Sequence, residues 1–440
     1  MKGTSFAETV LSLSKICIGA GVLALPWGLV QGRSMAMPGM VLISVWNWCA
    51  RPLTMRCTVP SPRAHALLRY TSSQLLSCQR TMGVRRKEAL LENPLSLADA
   101  SEQRSSYSGI VHAALGRTGM LLFEGSLTAV LFGVCCSLQI QSANLVVSVF
   151  PFVPYVYFIL GSAVPLVPLV LQRSLRGISW ISAVALVVLL IGLSAVAFVG
   201  VVMHGVPPAP WQFSARPSAE DLSCFLGIAL FAFGMQALVL PVCDGMRERE
   251  RAPSALLLAC SLVTGFYLVM GFGLARLFAG SAGGVQQLII LNLPDQTAVK
   301  ALVCCCSALM ALLSYPLMAM GVVQLLRGAG LLGAPDAEDG IRRELLLRVA
   351  LLACSTGVAA VMREFGLIAA VVGCLTLVNG QLLPPLLHLR ICGVDAPGKY
   401  AQHAAINGLL IVLGLAAFVF AAGELAAQVY SAPIRNTVTT

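Results

Sequence analysis

Residues 18–28 read Ile18-Gly19-Ala20-Gly21-Val22-Leu23-Ala24-Leu25-Pro26-Trp27-Gly28, an apolar run carrying two glycines and a proline in its interior. Gly loses the most backbone freedom on entering a helix, and Pro removes a hydrogen bond while clashing with the turn before it. Such a run invites the helix to unwind, and in lipid unwound backbone survives only where it is buried in protein or lines a cavity. Residues 231–241 repeat the arrangement: Phe231-Ala232-Phe233-Gly234-Met235-Gln236-Ala237-Leu238-Val239-Leu240-Pro241. Val22 to Pro26 is VLALP and Ala237 to Pro241 is ALVLP, so each run ends Leu-Pro. Taken singly, either run reads as well as a close helix–helix contact, since Gly and Pro are frequent in membrane helices. The matched pair carries more, because Gly/Pro-interrupted helices in corresponding positions of two halves point to a carrier's binding site.

The surrounding chain supplies the bilayer that this reading needs. Of 440 residues, 58% are hydrophobic and 11% charged, with a mean hydropathy of +0.84. A soluble domain carries about 25% charged residues. Apolar stretches long enough to span, about 20 residues each, fall near 16–32, 36–50, 119–141, 153–171, 178–203, 221–243, 254–279, 300–326, 345–362, 365–389 and 404–428. The second is short, because Arg51 interrupts it. Removing the Pro- and Arg-rich stretch 49–69 would join it to Tyr70-Thr71-Ser72-Ser73-Gln74-Leu75-Leu76-Ser77-Cys78 as one span of good length. Two readings stay open there: an insertion that splits the second helix, or a tilted helix followed by a genuine loop.

Lys and Arg gather in cytoplasmic loops. With the N-terminus placed in the cytoplasm, only Arg33, Arg216, Lys300, Arg363 and Arg435 of the 29 fall on the other side, and Arg276 falls within the seventh span. The expected protein is multi-pass, with its N-terminus cytoplasmic and its C-terminus outside. That bias also accounts for the net charge of +10 without a nucleic-acid partner.

Other function classes find little support. Cys135, Cys136, Cys304, Cys305, Cys306, Cys354 and Cys374 lie inside apolar runs, where they serve as small hydrophobes. No Cys/His pair has zinc-ligand spacing, and His65, His112, His204, His388 and His403 form no HxxxH or HExxH cluster. Neither an enzyme, nor a metal centre, nor a resident cofactor is expected. No GxxxxGK[ST] loop exists for ATP-driven pumping, and no filter or charge ring marks a channel.

Several segments, in order, resemble the amino acid/auxin permease family. SLSKICIGAGVLALPWGLVQG resembles its first helix, SYSGIVHAALGRTG (106–119) the approach to its third, and LGIALFAFGMQALVLPVCDGM its sixth. QLIILNLP (287–294) resembles the loop before its eighth helix, LLSYPLMAMGVVQLL that helix, and residues 366–389 its tenth. The resemblance implies an all-α, LeuT-like fold of two inverted five-helix repeats plus an eleventh helix. The expected order is a short cytoplasmic N-terminus (1–15), a first repeat (16–203) with a cytoplasmic loop at 79–117, a second repeat (221–389), an eleventh helix (404–428) and a tail (429–440).

The resemblance also implies amino acids as substrates, moved by alternating access on a proton or Na⁺ gradient. Carried onto this chain, the substrate would lie against Gly19, Ala20 and Gly21, with Phe233, Gly234 and Met235 facing it and breaks at Pro26 and Pro241. Ser314 stands where relatives carry a hydroxyl that helps hold Na⁺. Where Na⁺-coupled relatives have Asn, this chain has Ser14-Lys15-Ile16-Cys17. An ammonium there opposes a cation and favours proton coupling or facilitated exchange. A non-transporting amino acid sensor, or a carrier of another amine or carboxylate solute, fits the same residues. Plasma and vacuolar or lysosomal membranes are not distinguished by these residues.

Ionisable groups within spans are functional by default. Glu124 is the preferred proton-linked candidate. Glu124, Arg276 and Glu424 all lie near enough to an interface to snorkel. His388 reads as an interface residue and Asp244 as a partner of nearby arginines, while Gln139, Gln141 and Asn144 either line the path or sit at the outer interface.

Overall fold

The computed structural model describes residues 4–47, 107–171, 179–205, 215–234, 242–243, 246–248, 251–281, 283–295, 297–328, 338–392 and 397–438. The expected insertion at 49–69 lies outside them, as do residues 79–106 of the expected loop. Every named element among the described residues is helical, and the chain is an all-α membrane protein.

The first helix starts earlier than hydropathy alone suggests. α1 (Phe6–Cys17) opens on a capping box, in which the Ser5 hydroxyl accepts from the Glu8 N–H and the Glu8 carboxylate accepts from the Ser5 N–H. That box satisfies two orphan donors, so a polar first turn joins the apolar run. After Ile18 and Gly19 the chain re-enters helix as α2 (Ala20–Gly32). A 3₁₀ turn at Arg33–Met35, with Arg33 at φ 45°, leads into α3 (Ala36–Asn47). This left-handed backbone is held by an ion pair, Arg33 Nη2 to Asp221 Oδ2 at 3.2 Å.

α4 (Tyr107–Val149) is far longer than the span expected at 119–141, and bends at Gly116, whose φ of 69° suits only glycine well. Tyr107 to Leu115, within the expected cytoplasmic loop 79–117, are helical. Tyr107, Ile110 and Val111 are buried, and the Tyr107 hydroxyl donates to the Asn379 carbonyl at 2.6 Å. These contacts tie the approach to the third span to a distant segment of the chain.

There follow α5 (Tyr155–Leu171), α6 (Ser179–His204), α7 (Ala219–Ala232) and α8 (Ala252–Phe266). A π turn at Tyr267–Phe272 joins α8 to α9 (Gly273–Phe278). α10 (Ala298–Gly328) and α11 (Glu338–Val361) come next. α12 (Phe365–Leu377) passes through a second π turn, Val378–Leu382, into α13 (Leu383–Cys392), and α14 (Pro397–Val438) closes the chain.

Among the described residues seven helices are long and apolar enough to cross a membrane, and a bent pair at Phe6–Ser44 makes eight. Three further expected spans are realised differently. The one at 36–50 ends outside the described residues, the one at 153–171 is a 17-residue helix, and the one at 221–243 breaks after Ala232.

Without a hydrophobic drive between helices in lipid, close backbone contact has to supply the packing. α12 is where this shows. A Cβ on Gly373 would lie 1.7 Å from the Gly227 carbonyl oxygen, and one on Gly366 would lie 2.3 Å from the Trp27 ring. α12 therefore seats directly on α7 and α2. A large core surrounds these helices, and a second cluster around Tyr315 joins α4, α5, α10 and α11.

Candidate functional site

The first break is a tight turn at Ile18-Gly19. Ile18 has φ −77° and ψ 82°, and the Gly19 N–H donates to the Cys17 carbonyl at 2.8 Å, an inverse γ-turn. α1 and the helix beginning at Ala20 diverge there by 55°. Pro26 is not the break: it lies buried inside α2, whose helix runs on to Gly32. A proline costs a helix interior one hydrogen bond, which packing by neighbouring helices can absorb. The break falls instead at Ile18-Gly19, where Gly19 has φ −141° and ψ −143°.

The second break follows Ala232. Phe233 leaves the helix at φ −91° and ψ 12°, and the Gly234 N–H reaches back to the Phe231 carbonyl at 3.3 Å. Met235 and Pro241 lie outside the described residues.

The two breaks face each other. A Cβ on Gly21 would lie 2.8 Å from Ala232 Cα, so α2 begins in contact with the end of α7. Gly19 has open space on its side-chain face, and Gly234 is exposed with Thr376 of α12 nearby. Ala20 packs toward the second core cluster, which contains Ala311 and Tyr315 of α10. Of the expected substrate-facing set, Gly21 and Phe233 are buried in this junction while Gly19 and Gly234 border open space. Between the two breaks sits a residue that the sequence did not single out. The Tyr267 hydroxyl lies 2.6 Å from the Cys17 carbonyl and 2.8 Å from the Ala232 carbonyl. Its ring meets Phe233 edge-on at 5.0 Å.

The proposed ion-linked residues lie on neighbouring helices. The Ser314 hydroxyl donates to the Met310 carbonyl one turn back, at 2.7 Å, which leaves only its lone pairs for a ligand. Glu124 does not snorkel, since it is 7% exposed and its Oε2 has no hydrogen-bond partner among the described residues. Thr128, one turn on, has a similarly unpartnered hydroxyl. Arg276 is exposed and Glu424 half-buried. His388 is buried rather than interfacial, with Nδ1 2.9 Å from Asn407 Nδ2. Asp244 is outside the described residues.

Gln139 is fully buried and donates to Thr356 Oγ1 at 3.1 Å, whereas Asn144 donates to the Arg363 carbonyl at 3.1 Å. Asn379 in the second π turn was also missed. Its side-chain oxygen accepts from Ser126 at 2.6 Å, and its polarity within an apolar run was the available signal.

A second polar assembly lies on α11. Arg348 donates to Glu344 at 2.6 Å and to the Val170 carbonyl at 2.5 Å, and Arg327 also pairs with Glu344. Both partners of the Arg348–Glu344 pair are buried, so the pair ties α5, α10 and α11 together.

A polytopic, all-α protein with two opposed helix breaks in its interior is the class these features define. The chain belongs to the transmembrane amino acid transporter protein family, whose model matches residues 90–425 and so takes in the second break. That family is one of transporters and not of enzymes. Over 110 residues the chain is 33% identical to "Vacuolar amino acid transporter 4" of Saccharomyces cerevisiae, covering 25% of this chain and 15% of that protein. Over 177 residues it is 24% identical to "Vacuolar amino acid transporter 3" of Schizosaccharomyces pombe, covering 39% and 26%. The chain thus spans well under two thirds of the length of either relative. A solved Na⁺-coupled sialic acid symporter, in a substrate-bound outward-open state, aligns over 94% of this chain and 95% of its own at 12% identity and a TM-score of 0.42.

Proposed function

We propose that this protein is a secondary active transporter that moves amino acids across a membrane by alternating access, either proton-coupled or facilitative. The carrying observation is the meeting of the two breaks, Gly21 against Ala232, in a chain of the amino acid transporter family. In this reading the first turn of α2 offers backbone N–H groups and a positive dipole end to a substrate carboxylate. In this reading Gly19 and Ala20 line one side of the substrate and Gly234 the other, with Gly21 and Phe233 packed in the junction behind them. Glu124 carries the coupling proton, and Ser314 lies on the ion-facing side of α10.

In the same reading the chain forms two inverted five-helix repeats with the broken helices in equivalent positions, and the charge bias supports a cytoplasmic N-terminus. A vacuolar-type membrane is the favoured location, in line with the two yeast relatives.

The test is uptake of a panel of labelled amino acids into proteoliposomes, with a pH gradient and a Na⁺ gradient imposed separately. Accumulation driven by the pH gradient, or equilibration without any gradient, is the expected result. If no amino acid enters under any condition, the proposal fails, and binding without movement would identify a sensor.

A further inference from the structure

Two helix C-termini converge on one point. Cys17 ends α1 and Ala232 ends α7, so each carbonyl carries part of the negative end of a helix dipole. Two such oxygens facing one centre repel each other unless something positive lies between them. In carriers with broken helices, unwound carbonyls and half-helix C-termini are ligands for a cation. Here the Tyr267 hydroxyl occupies that centre, 2.6 Å and 2.8 Å from the two oxygens.

Tyr267 is fully buried and is the first residue of the π turn on the helix line that packs along α1 and α2. One O–H carries a single proton, so the two carbonyls share it. One turn earlier on the packed pair α1 and α8 lie Ser14 and Thr264, whose hydroxyl oxygens are buried without a hydrogen-bond partner among the described residues. Ser14 stands one turn before Cys17, and Thr264 one turn before Tyr267.

We propose that Tyr267 is a positioning residue that substitutes for a cation: its hydroxyl proton holds the ends of α1 and α7 together, so the junction closes without sodium. The proposal rests on reading the two breaks as the carrier's site. Removing the hydroxyl would leave the Ala232 carbonyl without this donor and the Cys17 carbonyl with the Gly19 N–H alone, two oxygens between the helix ends that a sodium ion could take in its place.

The experiment compares the full-length wild type with Tyr267→Phe in sodium chloride and in choline chloride. Uptake of the labelled amino acid panel is read in proteoliposomes, and the melting temperature in detergent. The wild type should behave alike in both salts. Y267F should lose about tenfold of its uptake in choline, the order expected for an unpaired buried polar group, and should regain uptake with a saturable dependence on sodium. Its melting temperature should rise with sodium where that of the wild type does not.

Wild-type behaviour of Y267F in choline, equal loss in both salts, or a sodium requirement in the wild type would each overturn the proposal. Should Y267F fail to fold, Tyr267→His, which keeps a ring N–H, is read in the same way. Folded Y267H with sodium-independent melting supports the need for a donor, and its misfolding overturns it. A wild type that moves no amino acid in either salt removes the carrier reading, and the melting comparison still decides the role of Tyr267.

Discussion

Gly19 and Gly21 stand two residues apart and meet different surroundings, which separates packing from substrate contact. A methyl group on Gly21 would press on the Ala232 backbone, where nothing flexible can give. Gly21→Ala should destabilise the protein by about 1–3 kcal/mol, seen as a lower melting temperature in detergent, with uptake falling in step. Gly19 has no neighbour within 4 Å of its added Cβ. Gly19→Ala should melt as the wild type does while raising the KM for uptake, because the methyl group enters the space assigned to substrate. Equal KM values would move the substrate away from Gly19. The sequence identified both glycines but could not rank them, since contact with Ala232 depends on a helix more than two hundred residues away. Glu124 was legible as an ionisable residue in a span, yet its burial depends on packing that hydropathy does not encode.

At the scale of elements, apolar length was readable and the interruptions were misplaced. Leu-Pro motifs drew attention to Pro26, but α2 continues through it and the chain breaks at an inverse γ-turn eight residues earlier. The two π turns left no signature, because one extra residue in a helical turn does not alter an apolar pattern. Tyr267 went unnoticed for the same reason: an aromatic within an apolar helix reads as core until its hydroxyl is seen between two carbonyls. The polar assembly on α11 yields a stability prediction. Arg348→Ala leaves Glu344 buried with Arg327 as its remaining charged partner and should cost about 1–3 kcal/mol, measured by thermal unfolding with the substrate-free protein.

Lys300, in the first turn of α10, holds the carboxyl of Asp295 in the preceding loop below its ordinary range through a hydrogen bond and its charge, at 2.5 Å. A depressed carboxylate contributes above its ordinary pKa and stops contributing as pH falls through the lowered value. Acidification should therefore lower the protection factors of residues 289–295, measured against the intrinsic exchange rate at each pH, by a small amount because Asp295 is largely exposed.

For the molecule as a whole, membrane class and the order of the helices were legible from composition and spacing alone, because the bilayer allows few architectures. That the first and sixth spans share one site was legible from their matched Gly/Pro runs, and the repeat arrangement around them only as a resemblance. Sidedness rests on charge bias, so a protease site placed before Thr4 should be cut from the cytoplasmic face of oriented vesicles, and one placed beside Asp295 from the opposite face. The contact between Gly227 and Gly373 reaches further than packing. Two backbones that touch have no side chains between them to rearrange, so α7 and α12 form a single rigid lever. A tilt of that lever has to be absorbed at its two ends, where α7 gives way to Phe233-Gly234 and α12 gives way to the π turn at Val378–Leu382. The polar Asn379 lies at one of those ends, so the same few residues that interrupt the helices are where any such tilt would have to be taken up.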